Sequence, residues 1–281
     1  MTKLRHTHLD AFTFGTIAIT LVVLLFVGSA ITAIVVTGFQ HLTEALFSNE
    51  VLFSLRMSVV TSIISTAICL ALAMPTAYAI THVRLPGVRL AEVMMELTLS
   101  LPYILLGFAL LIIFSSPFGK ALKEAGFAVV FEPAGIVFAQ LIVNLPFAIR
   151  MVRTAFGDVG HRVEFVAETL GANPFQVFRT IIVPLCRNAL ISTFVLTWAR
   201  GVGEFGATLM LVGVTRMKTE TLPGSVYLNI STSNNETAMA TAMIMLLLSA
   251  AAMAAANVLS RRTRASGRRI GGRSAVKGED A

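Results

Sequence analysis

Apolar residues gather into six long runs separated by shorter polar stretches: Thr16–Val36, Ser58–Ile80, Ala91–Phe114, Ala134–Phe156, Ala189–Val212 and Ala238–Leu259. Each is long enough to cross a hydrocarbon core, which takes roughly 20 helical residues. None shows the strict alternation of a membrane barrel strand, so the spans must satisfy their backbone hydrogen bonds as helices. The pattern predicts an all-α polytopic membrane protein with six transmembrane helices. Lys3 and Arg5 precede the first run, as in a secretory signal. That run exceeds the usual apolar region of about 7–15 residues and has no A-x-A site, so it predicts a retained helix.

Composition agrees with the pattern. The 281 residues are 56% hydrophobic and 13% charged, and the mean hydropathy is +0.80; a soluble core of this length could not hide so much apolar surface. Cys69 and Cys186 form no spaced set, so neither a disulfide framework nor a metal site is expected. The chain divides into a short N-terminal segment, 1–13, a transmembrane domain, 14–260, and a basic tail, 261–281. Gly267, Gly271, Gly272 and Ser274 predict a tail without fixed structure.

Charge sets an expected orientation. With both termini inside, the inner basic residues are Lys3, Arg5, Arg84, Arg89, Arg150, Arg153, Arg162, Arg179, Arg187 and the seven from Arg261 to Lys277, 16 of 22 Lys and Arg in all. Only Lys120, Lys123, Arg216 and Lys218 fall in outer loops, while Arg56 and Arg200 lie at or within spans. This bias follows the positive-inside rule and predicts a multi-pass protein of the cell (inner) membrane with cytoplasmic termini. The basic tail is expected to anchor the last helix and to touch anionic lipid; nucleic acid is not an expected partner.

The longest inner loop, about 157–188, is an amphipathic island. Gly171 can end a short helix by taking positive φ. Asn173-Pro174 can then start another, with Asn as cap and Pro in the first turn. Phe175 and Phe178, at i and i+3, are expected on one face. That face either docks in a groove on a partner or dips into the lipid interface. Gly171, followed after nine residues by Ile181-Ile182-Val183-Pro184, resembles the cytoplasmic signature of ABC importer permeases: E-A-A, three residues, G, nine residues, I-x-L-P. Ala167 keeps the last Ala of that signature, whereas Phe165 and Val166 depart from it.

Other stretches resemble the molybdate/sulfate/tungstate branch of these permeases. They are Met74-Pro75-Thr76-Ala77-Tyr78, Leu101-Pro102 with Leu106-Gly107-Phe108-Ala109-Leu110-Leu111, Ala134 to Gln140, Pro146-Phe147, Gly203 to Met210, and Lys218 to Pro223. Gly224-Ser225 departs from the usual apolar pair. The resemblance implies a type I importer. Two permease subunits, here a homodimer, would form the pore and a cytosolic ABC ATPase dimer would power it. A periplasmic or lipid-anchored solute-binding protein would deliver molybdate, or next sulfate or tungstate. It also implies ATPase coupling through Ala167, Glu168, Gly171, Ala172, Phe175, Phe178, Ile181 and Pro184.

The chain itself carries no nucleotide-binding loop, so no enzymatic activity and no cofactor are expected of it. Gly201-Val202-Gly203-Glu204-Phe205-Gly206 fits G-x-G-x-x-G, but it lies in an apolar span rather than after a strand. In the same run, Arg200 must find partners or water inside the membrane. It could form a structural pair with Glu204 at i+4, or lend positive potential to an anion path. Other readings are an ABC permease for another small solute and an ion-coupled secondary transporter, for which only Glu92, Glu96 and Glu204 lie near or inside spans.

Overall fold

A computed structural model describes residues 11–83, 86–159 and 161–275, with side chains for all of these except 11, 161, 162 and 259–275. Lys3, Arg5, Arg84 and Lys277, and the side chains of Arg162 and the other tail arginines, lie outside the described residues. The helices are α1 (Ala11–Gln40), α2 (Leu42–Phe47), α3 (Asn49–His82), α4 (Val88–Ser100), α5 (Tyr103–Ser115), α6 (Pro117–Glu124) and α7 (Pro133–Gly157). They continue as α8 (His161–Thr169), α9 (Pro174–Val177), α10 (Val183–Val202), α11 (Gly206–Val212), α12 (Leu222–Ser231) and α13 (Asn235–Ala275). No strand occurs among the described residues.

Among the described residues, five helices are long and apolar enough to span: Phe12–Gln40, Asn49–His82, Pro133–Gly157, Pro174–Val202 and Asn235–Val258. The third expected span is not one helix. It is α4 followed by α5, bent by 112°, and counting this pair as one gives six. Pro102 causes the break: it pushes Leu101 to extended backbone (φ −75°, ψ 142°) and offers no amide to the preceding turn.

The fifth span also differs from expectation. It stops at Val202 instead of Val212, and Gly203, Glu204 and Phe205 separate it from α11. At its other end it reaches back to Pro174 through a π-helical turn, Phe178–Ile182, in which the Val183 amide bonds to the Phe178 carbonyl. Pro184, lacking an amide, cannot bond back to Thr180, and the wider turn accommodates this loss. The last helix continues through Ala275, across the stretch expected to lack regular structure; its Arg and Ala residues favour helix and outweigh the few glycines.

Helices α3 and α7 make the central pair. One face of α3 buries Ser54, Ser58, Thr61, Ser62, Ser65, Thr66, Cys69, Ala73 and Ala77, small side chains three or four apart that let neighbours come close. Gln140 on α7 donates to the Gly201 carbonyl of α10 at 2.9 Å and to the Thr61 hydroxyl of α3 at 3.4 Å, joining three helices in the middle of the bundle. Around the far end, Arg216 pairs with Glu50 at 2.6 Å and Lys218 with Glu132 at 2.7 Å. These tie the loop after α11 to the starts of α3 and α7.

The two broken spans interlock. A Cβ on Gly107 of α5 would lie 2.6 Å from the Cα of Ala207 on α11, closer than real Cβ atoms approach. Gly107→Val is therefore expected to destabilise the bundle by about 1–3 kcal/mol, the usual cost of overpacking. A lower melting temperature in detergent would register this. Gly203→Ala, whose Cβ would meet only the carbonyls of Ala199 and Arg200 at an ordinary 3.8 Å, is the matched control expected to melt as the native chain does.

Candidate functional site

The segment between α7 and α10 folds as its sequence directs. Helix α8 ends at Thr169, two residues before Gly171, which takes φ +91°. The Gly171 amide bonds to the Glu168 carbonyl at 2.9 Å and the Ala172 amide to the Ala167 carbonyl at 3.0 Å, closing the last turn. Asn173 then caps α9: its side chain accepts from the Gln176 amide at 2.9 Å, and the Gln176 side chain accepts from the Asn173 amide at 2.9 Å.

This capped corner is fastened to the end of α3. His82 Nε2 lies 3.0 Å from Glu164 Oε1, with both side chains nearly buried, and the His82 ring stacks on Tyr78 at 4.7 Å. Val177 and Ile182 enter the adjoining core with Phe156, Cys186 and Leu190.

The two phenylalanines part company here. Phe175 is 67% exposed. Phe178 instead turns inward, its ring 5.1 Å from Tyr78 and 6.1 Å from Phe156, both edge-on. The expected shared face is corrected to one outward ring and one inward ring. Leu170, 83% exposed, together with Phe165 and Val166, surrounds Phe175 in sequence and adds apolar surface that sequence reasoning did not single out. Ala167 is buried, Ala172 and Ile181 are half-buried, and Glu168 and Pro184 are exposed.

The second candidate region lies where the broken spans meet. A cavity of about 330 Å³ is lined by residues that include Tyr103, Asn144, Arg200 and Glu204. Arg200 Nη2 donates to the Tyr103 hydroxyl at 2.9 Å, and Nε donates to Asn144 Oδ1 at 3.4 Å. The guanidinium also stands 4.6 Å over the Phe147 ring, an attractive cation–π placement. Glu204 is not on the same helix as Arg200 and makes no ion pair with it within 4.0 Å. It lies in the break and accepts from the Ala207 amide at 2.8 Å, at the start of α11. Tyr103 and Asn144 were not singled out by sequence reasoning, and Phe147 entered only through the family resemblance; Pro102, beside Tyr103, was the nearest other signal.

Known proteins resolve what kind of machine holds these two regions. The family described as binding-protein-dependent transport system inner membrane component matches residues 70–265. The chain belongs to that family. This permease is 36% identical over 199 residues to the molybdenum transport system permease protein ModB of Mycobacterium tuberculosis, covering 70% of this chain and 75% of that one. It is 31% identical over 198 residues to the sulfate transport system permease protein CysT of Salmonella typhimurium, with 70% of each chain covered. A crystal structure of a bacterial alginate ABC transporter, in complex with a periplasmic protein bound to an alginate pentasaccharide, has the same fold. Its TM-score is 0.70 at 14% identity, over 90% of the permease and 95% of that chain. The permease is thus a multi-pass membrane subunit of an ABC importer, with ATP hydrolysis assigned to a separate subunit of such systems.

Proposed function

We propose that this permease forms the translocation path for a tetrahedral oxyanion, molybdate first and sulfate or tungstate next, delivered by a solute-binding protein. The observation that carries the reading is Arg200, a guanidinium held at the edge of a membrane cavity by Tyr103 and Asn144. The names of the relatives ModB and CysT support the same class of cargo. An intramembrane arginine is costly unless it meets partners or water. Here it supplies positive potential where a dianion must shed part of its hydration.

In this reading two copies of the chain form the pore, with both termini in the cytoplasm. A cytosolic ATPase pair grips the exposed corner around Gly171. Leu170 and Phe175 enter a groove on the ATPase, Phe165 and Val166 flank it, and the inward residues Phe178, Val177 and Ile182 transmit its displacement to α3 and α10. ATP binding draws the ATPase pair together and turns the path outward, and hydrolysis resets it.

The test is reconstitution of the permease with its ATPase and binding protein in proteoliposomes, followed by uptake of molybdate, tungstate and sulfate. Uptake is expected to require ATP inside. Arg200→Gln is expected to lower it by about tenfold or more, the weight of a hydrogen bond to a charged group. Uptake driven by an ion gradient without ATP, or normal uptake by an assembled Arg200→Gln complex, contradicts the proposal.

A further inference from the structure

We infer that the cavity between the broken spans is itself an anion-binding subsite, one that favours oxyanions carrying no proton; this rests on the reading above. A guanidinium has five N–H donors in a fixed fork. One N–H of Arg200 goes to Tyr103 and one to Asn144. The other three have no acceptor among the described residues. The Tyr103 hydroxyl accepts from Arg200, so its own proton is also left to donate. Tyr103 opens α5 directly after the Pro102 break, and Arg200 sits near the end of α10 just before the Gly203 break. The hydrogen bond between them therefore joins the two interrupted spans at the cavity wall.

Among the described residues that line the cavity, Glu204 is the one carboxylate, and its Oε1 serves the fold. Glu204 is 4% exposed and bound to the Ala207 amide. What the cavity offers a ligand is thus a set of donors. Its volume of about 330 Å³ equals that of roughly ten waters at about 30 Å³ each, enough for a small oxyanion with part of its hydration shell. A sulfate or molybdate dianion is all acceptors and matches the fork of Arg200. A hydrogen phosphate ion brings one O–H donor, which would face donors and stay unpaired, a mismatch worth about tenfold in affinity. Glu204 in the same wall tempers the positive potential of Arg200, so the anion is held in passing and released.

The experiment uses the permease co-purified with its ATPase, without binding protein, in equilibrium dialysis against radiolabelled sulfate at neutral pH. Saturable binding is expected, displaced by molybdate and about tenfold less well by phosphate. Arg200→Gln is expected to abolish it, and Tyr103→Phe, which keeps the ring and removes only the hydroxyl, to weaken it about tenfold. Thermal unfolding and ATPase co-purification check that each variant is assembled. Should Arg200→Gln fail to assemble, Tyr103→Phe and Asn144→Asp decide, the latter expected to weaken binding by drawing the guanidinium away. Sulfate binding that does not saturate, that is unchanged in Tyr103→Phe, or that phosphate displaces as well as molybdate does, overturns the subsite. If ATP-driven uptake of the native complex persists in that event, only the subsite falls; if the native complex transports no oxyanion, the proposed function falls first.

Discussion

Phe175→Asp is expected to insert and melt like the native permease while ATP hydrolysis by the partner ATPase drops to its unstimulated rate and uptake disappears. The reasoning is an asymmetry between the fold and the interface. Phe175 is two-thirds exposed, and substitutions at such positions usually change stability by no more than about 0.5 kcal/mol. In an ATPase groove the same ring would be a buried aromatic anchor, and such anchors contribute about 2–4 kcal/mol; a carboxylate there must also be stripped of water. The loss in coupling affinity is then about 30-fold to 1,000-fold. Leu170→Asp is expected to behave alike. Phe178→Asp is expected to fail differently, with poor yield of folded protein, because its ring packs between Tyr78 and Phe156. An active ATPase complex formed by Phe175→Asp as readily as by the native chain would rule out the docking surface.

The second large effect is expected from His82→Ala, which removes the fastening of the Gly171 corner rather than its proposed contact surface. The substitution deletes the 3.0 Å bond to Glu164 and the stack on Tyr78. It leaves a nearly buried carboxylate without its imidazole partner, a cost of about 1–3 kcal/mol, with about 0.5–1.5 kcal/mol more for the lost ring pair. That energy is local, so the corner should open before the bundle does. Amide hydrogen exchange across residues 163–182 is expected to speed up while the middle of α7 keeps its protection, and uptake per ATP hydrolysed is expected to fall. Exchange that rises equally in both regions would mean that His82 supports the whole bundle and not the corner alone.

Sequence legibility was uneven for physical reasons. The corner itself was readable because its signals are local: positive φ at Gly171, an Asn173 cap and a proline in the first turn act over four residues. The direction of Phe178 was not. On a helix, residues three apart stand about 60° from each other, and the edge of the buried face falls between 175 and 178. Where that edge falls depends on Tyr78, about a hundred residues away in sequence. The two breaks show the same division. Leu101-Pro102 names its own kink, yet both flanks are so apolar that an averaged run reads straight through it. At Gly203-Glu204-Phe205 the spacing allows the one polar residue to pair with Arg200 along a helix, as one of two readings. Its carboxylate instead serves the first turn of the next helix, which only tertiary placement decides. The cavity was invisible for a related reason: Tyr103, Asn144 and Arg200 come from three separate spans, and no spacing within the sequence links them.

The interlock of Gly107 with Ala207 has a mechanical consequence. With no side chain between their backbones, α5 and α11 behave as a single rigid strut rather than as two pistons. Its far end continues into the loop that Arg216 and Lys218 lash to Glu50 and Glu132. If the Gly171 corner couples to an ATPase as proposed, a push on α10 would reach the opposite face through the break at Gly203, Glu204 and Phe205. In the proposed transport cycle, the reach of such a push would be set by how much that three-residue joint can bend.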